Sequence, residues 1–156
     1  MTGTLVSIFS LAVSLLALAV AWKSYENSKL NQRAAIFLDL RNRFSSIHQL
    51  LPDYIFSSQN IPQNETDDWK IIERYWLLSF DEWFINRYVI SYDKGALWYQ
   101  FYRTAQQSSL RYAGMRLVLK SMFEGRISFG KKRDEYLIEI QKMERELQIN
   151  DIQQLS

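Results

Sequence analysis

The sequence predicts an all-α protein in which one N-terminal transmembrane helix continues into a cytoplasmic helical bundle of about four to five helices. Three observations predict it. Glycine and proline are scarce, five and two in 156 residues, so little interrupts a helical backbone. Apolar residues recur at steps of three and four over most of the chain. And Leu5–Trp22, LVSIFSLAVSLLALAVAW, holds eighteen residues without a charge. The expected division is 1-29 for the transmembrane anchor and interface, 30-149 for the bundle, and 150-156 for a polar tail that frays.

As a helix, the charge-free run measures roughly 27 Å, close to the hydrocarbon core of a bilayer. The competing reading is a cleaved signal peptide. Against it, Met1–Thr4 has no basic side chain, the run is longer than a usual signal core, and Lys23, Lys29 and Arg33 follow rather than precede it. Basic residues stay on the cytoplasmic side, so the N-terminus is expected outside and the C-terminal domain inside. Trp22, Lys23, Tyr25, Lys29 and Arg33 are the expected membrane-surface anchors.

Gly3, Ser7, Ser10, Ser14, Ala17, Ala21, Ser24 and Ser28 are all small and follow alternating steps of four and three. That spacing is the seam of a left-handed helix pair. In lipid, small residues let backbones approach, and serine adds interhelical hydrogen bonds. A chance run of common anchor residues is the plainer reading. If the seam packs, its partner is another transmembrane helix, from a second copy or from another membrane protein.

No glycine or proline occurs from Thr4 to Leu51, so the first helix is expected to run on to Pro52. Leu30, Phe37, Leu40, Phe44, Ile47 and Leu51 make its inward stripe. Residues 52–66 contain both prolines and read as a long loop. Asn64-Glu65-Thr66 matches a glycosylation sequon, a three-residue match that arises by chance. Thr66 or Asp67 then caps a second helix reaching about Val89, whose charges Glu73, Arg74, Asp81, Glu82 and Arg87 argue against a second span. Asp93 caps a third, with Leu97, Trp98, Phe101, Tyr102 and Ala105 inward and a break or kink at Gln106–Ser109. Leu110–Phe123 forms a fourth, with Leu110, Ala113, Leu117 and Met122 inward and Gly125 at its end. A fifth starts near Ser128–Lys131 and reaches about Leu147, with a stripe of Tyr136, Leu137, Ile140, Met143 and Leu147.

The chain has no cysteine, which excludes disulfides, thiol catalysis and cysteine-bound zinc. Its net charge of +2 is unevenly spread, with +3 over 23–43, −5 over 53–82, +8 over 87–133 and −4 over 134–156. Helices pairing by charge would explain the alternation. The functional reading is that the basic segment faces anionic lipid, at about 1 kcal/mol per residue near the surface. Nucleic acid is not expected, because no reading motif is present.

Candidate chemistry is thin. His48 is the only histidine. A di-metal carboxylate bundle needs Glu-x-x-His twice, which one histidine cannot supply. Asp81 and Glu82 are neighbours on a helix and point about 100° apart, so pairing with Arg74, Arg87 or another helix's basic group is the expected role rather than acid–base chemistry. Trp69, Trp76, Trp83 and Trp98 suit a core, with a flat ligand as the alternative. Gly125–Arg133, GRISFGKKR, is a basic turn and not a P-loop, since Lys132 replaces the Ser/Thr and no strand precedes it.

The order of features resembles an uncharacterised group of single-pass bacterial membrane proteins. The carrying residues are the anchor, Phe37-Leu38-Asp39-Leu40-Arg41-Asn42-Arg43-Phe44, and Phe80-Asp81-Glu82-Trp83-Phe84. No activity or site residue follows from that resemblance. The expected function is a non-enzymatic subunit or scaffold of a membrane complex, held by lipid and by a partner helix, with no cofactor, metal or identified small-molecule substrate. The alternative is a self-assembling membrane effector that forms a pore or lesion.

Overall fold

The computed structural model describes residues 2–56, 61–89, 97–125 and 129–149; for residues 2–10, 12, 97 and 98 it describes the backbone alone. Among the described residues all regular structure is helical. The helices are α1 (Thr2–Leu50), α2 (Asp67–Phe84), α3 (Leu97–Leu110), α4 (Ala113–Glu124) and α5 (Arg133–Glu146). Short 310 turns cover Asp53–Phe56 and Gly130–Lys132, and one widened π-type turn covers Ile85–Val89. The chain divides into two compact units, Met1–Asp39 and Leu40–Ser156. The expected tail, 150-156, lies outside the described residues.

The first unit is helical throughout its described length. From Leu11 to Ala35 every described side chain is exposed. Among the described residues no helix is long and apolar enough to cross a membrane. The charge-free run Leu5–Trp22 includes residues 5–10 and 12, whose side chains lie outside the described set.

The second unit is the bundle. α1 contributes its last turns, with Leu40 buried and Phe44 and Ile47 half-buried, and Leu51, just past its end, is buried as well. The helix stops ahead of Pro52, as the missing N–H and the ring of proline require. Leu30, expected on the same stripe, belongs to the first unit and is exposed.

α2 packs against both α3 and α4, and α5 against α3. Thr66 caps α2, its hydroxyl accepting from the Trp69 N–H at 3.3 Å, while Asp67 and Asp68 complement the helix dipole. Around α2 lies an aromatic knot. Tyr136 of α5 meets Phe80 (5.3 Å between ring centroids), Trp83 (5.2 Å) and Phe129 (5.3 Å), and Phe129 meets Phe123 at 4.8 Å. Trp76 is fully buried and donates its indole N–H to the Met115 carbonyl at 2.9 Å, so its one polar atom is satisfied in the core.

Two arginines close helix ends. The Arg116 guanidinium donates to the Leu110 carbonyl (2.8 Å), and that of Arg133 to the Phe123 carbonyl (2.8 and 3.1 Å). Each meets an orphan carbonyl and places positive charge at the negative end of a helix.

Four expectations are corrected. The loop 52–66 is in part packed structure: Ile55 of the 310 turn is fully buried, and the Tyr54 hydroxyl donates to Asp68 at 2.5 Å. α2 does not stay α-helical to Val89, because the backbone widens at Ile85–Val89 around buried Asn86. α3 is unbroken through Gln106–Ser109 and turns Tyr99, Tyr102, Gln106, Ser109 and Leu110 inward, leaving Phe101 41% exposed. α4 begins only at Ala113 and buries Met115, Val118, Leu119, Met122 and Phe123, whereas Leu117 faces out. The inward stripe of α5 is as expected, with Leu147 half-buried at its end.

Candidate functional site

The residues expected to meet membrane and partner lie on α1. Ser14, Ala17, Ala21, Ser24 and Ser28 are exposed; the side chains of Gly3, Ser7 and Ser10 lie outside the described residues. Exposure is not confined to the seam. Leu11, Val13, Leu15, Leu16, Leu18 and Val20 are each between 50% and 67% exposed. At 100° per residue these six positions cover most of the helix circumference and leave one sector, which Ser14, Ala17 and Ala21 occupy. With no charge in either part, α1 has no charged face here.

The expected surface anchors Trp22, Lys23, Tyr25, Lys29 and Arg33 are exposed. Trp22 and Tyr25 lie one turn apart, with ring centroids 6.5 Å apart and tilted by 51°. The Lys29 ammonium sits 4.5 Å from the centroid of the Tyr25 ring, a cation–π contact. An aromatic pair and a cation thus form one small cluster directly after the apolar run.

The carboxylate pair separates as helix geometry requires. Asp81 is exposed, and partial burial raises its pKa against the lowering effect of Arg43. Glu82 turns into the core and is 4% exposed. It meets no basic partner there, contrary to the expected ion pair, and its Oε2 is unbonded. Burial, with the neighbouring Asp81 charge, pushes its pKa up to about 8, so the carboxyl is largely protonated at neutral pH.

Other polar groups share that interior. Gln106 donates to the Ser79 carbonyl at 3.0 Å and reaches the Tyr136 hydroxyl at 3.4 Å. The Tyr75 hydroxyl lies 2.5 Å from Ser109 Oγ, and its pKa is raised to about 12 by burial. Tyr136 is raised further, by its own burial and by the surrounding Tyr102, Tyr75, Glu82 and Glu139. Buried acceptors without a bonding partner remain on Gln106, Asn86 and Glu139. No sequence signal marks this polar layer, because its members sit among aromatics and carry no shared motif.

Arg87, Arg103, Arg116, Lys132 and Arg133, five of the ten basic residues of the basic segment, have partners within the fold. Arg103 makes a two-pronged pair with Glu146 (2.6 and 2.5 Å), which Gln107 joins at 2.8 Å. Lys132 and Arg87 both approach Glu135, at 2.5 and 4.0 Å. These pairs join the +8 and −4 stretches and support charge pairing between helices as the reason for the alternation. The basic turn keeps Lys131 exposed, but Arg133 and Lys132 are engaged.

The tryptophans divide. Trp69, Trp76 and Trp83 are core residues; the side chain of Trp98 lies outside the described residues. His48 is exposed, its ring stacked on Phe56 at 5.7 Å and 27°. Among the described residues no group of three or more His, Asp or Glu could hold a metal ion. Compared with known proteins, the chain matches no family model, no curated protein and no solved structure.

Proposed function

We propose that this chain is a membrane-anchored helical protein that works as a non-enzymatic subunit or scaffold of a membrane complex. One observation carries the proposal: from Leu11 to Val20 α1 exposes large apolar side chains over most of its circumference, and the remaining sector carries only the small residues Ser14, Ala17 and Ala21. A helix apolar over most of its surface needs an apolar medium, and a bilayer supplies one to a helix whose backbone bonds are all internal. The charge-free run has about the length of the hydrocarbon core. The Trp22–Tyr25–Lys29 cluster suits the boundary between lipid and water. The basic flank after the run puts the N-terminus outside and the bundle in the cytoplasm.

In this arrangement the small seam binds a partner helix and the bundle binds or positions a second component. The test is the mass and composition of the complex after gentle extraction from its native membrane. A second membrane protein in stoichiometric amount is the expected result. Ser14→Leu and Ala21→Leu are expected to lose that partner while the bundle unfolds at an unchanged temperature. A homo-oligomer that leaks ions would favour the self-assembling effector instead. A monomer that the two substitutions leave unaltered would refute the seam.

A further inference from the structure

We propose that a cleft beside the end of α1 binds a small, neutral, flat aromatic molecule with a hydrogen-bonding edge. The cleft lies wholly within the second unit and has a volume of about 430 Å3. That falls in the range of small-molecule sites, about 300–1,000 Å3. Its two walls differ in kind.

One wall is a row of rings. The His48 imidazole is stacked on Phe56 (5.7 Å between centroids, 27°) and tilted against Phe44 (5.8 Å, 33°). Phe101 meets Phe44 edge-on at 5.9 Å and 74°, and Tyr112 meets Phe56 edge-on at 5.2 Å and 80°. Each ring is held by its neighbour, so the surface is formed before any ligand arrives. The flat, electron-rich faces of such rings favour another ring, stacked with an offset or edge-on.

The rest of the lining is α3, which carries Phe101 of that row and, beyond it, the small side chains of Thr104, Ala105 and Ser108. They leave a slot rather than a filled interface. Thr104 and Ser108 are exposed and present hydroxyls to it. Ser109 is already occupied, with the Tyr75 hydroxyl at 2.5 Å and the Ala105 carbonyl at 3.0 Å. The polar groups that remain among the lining residues to bond the ligand's edge are the Thr104, Ser108 and Tyr112 hydroxyls and the His48 imidazole.

Charge fixes the class of ligand. No Asp, Glu, Lys or Arg lines the cleft. An ion entering it would shed hydration with no countercharge to replace it. A purely aliphatic ligand would leave the hydroxyls and imidazole without a role. A neutral ring compound with one or two polar substituents satisfies both walls.

The chain offers its own reporter, since His48 is its only histidine and gives a single set of imidazole NMR signals. The full chain in lipid nanodiscs is titrated with 2-naphthol, and separately with decahydro-2-naphthol, which keeps the hydroxyl and the carbon skeleton but has no flat face. The expected result is a saturable shift of the His48 signals by 2-naphthol and binding roughly tenfold weaker for the saturated compound. Ser108→Phe fills the slot from an exposed position and is expected to abolish the shift with the amide spectrum of the bundle otherwise intact. Thr104→Phe, also exposed, is expected to do the same. Absence of a saturable shift, equal binding of the saturated compound, or binding that survives both substitutions would overturn the proposal.

Discussion

Two regions along the first helix and its end differ in how densely apolar residues fall, nine of ten in Leu11–Val20 against five of twelve in Leu40–Leu51, and the denser one is the exposed one. Between Leu11 and Val20, large apolar side chains cover most of the helix circumference and all those described are exposed. Between Leu40 and Leu51, Leu40, Phe44, Ile47 and Leu51 share one stripe that is buried or half-buried in the bundle, while Leu50 lies off the stripe and is exposed. Burial by the chain's own core therefore follows phase, not apolar content. A stripe can be covered by two or three neighbouring helices, whereas a helix apolar over most of its circumference needs a surrounding medium or partner. The charged residues follow the same division. In the bundle Arg103, Arg116 and Arg133 have specific partners, while Lys23, Lys29 and Arg33 stand exposed after the apolar run.

The strongest way to break this comparison is to remove one large side chain from each region. Trp76→Ala should destabilise the bundle by about 3–5 kcal/mol, since it opens a large cavity and removes the indole hydrogen bond to the Met115 carbonyl. Trp22→Ala should leave bundle stability within about 0.5 kcal/mol. Chemical denaturation read by circular dichroism checks both.

A second test uses the polar layer. The pKa of Glu82 is raised in the folded state, to about 8 from 4.5. Its favourable contribution is therefore full below about pH 4.5 and is lost as pH rises toward 8, because the unfolded chain gains by ionising and the folded chain does not. Glu82→Gln cannot ionise. Relative to wild type it should gain stability between pH 5 and pH 8, by up to roughly 4 kcal/mol. Parallel stability profiles for the two proteins would show Glu82 in another state.

The smaller effects come from helix ends and surface pairs. Arg133→Met should cost about 1–2 kcal/mol by leaving the Phe123 carbonyl at the end of α4 unmet. Arg103→Met should cost less, about 1 kcal/mol or below, and the loss should shrink in high salt, since the Glu146 partner is largely exposed. Thermal unfolding in low and high salt separates the two.

Much of this organisation can be read in the sequence. Thr66 ahead of Asp67 and Asp68 announces the start of α2, and Pro52 the end of α1. The Tyr136–Leu137–Ile140–Met143 stripe sets the face of α5, although Glu144 is buried with it. The places where sequence reasoning fails share one cause. On α3 the buried face contains Gln106 and Ser109, so periodicity of apolar residues points elsewhere and assigns Phe101 inward. Ile55 sits between prolines in a loop-like composition, yet the turn is packed. Glu82 looks like half of an ion pair, and only the fold shows it among tyrosines. The Phe44–His48–Phe56 row joins residues from α1 and a 310 turn, and no local spacing links them.

The central claim is that lipid surrounds the first part of α1. The chain has no native cysteine, so single cysteines carrying a nitroxide label can be placed without background. Labels at Leu11, Leu15, Leu16, Leu18 and Val20 in the membrane-bound chain would be probed with oxygen, which concentrates in lipid, and with a water-soluble nickel chelate. High oxygen and low nickel accessibility at these sites, with labels at Ala17 and Ala21 shielded from both, is the predicted result. High nickel accessibility along the whole stretch would contradict the membrane anchor and everything proposed from it.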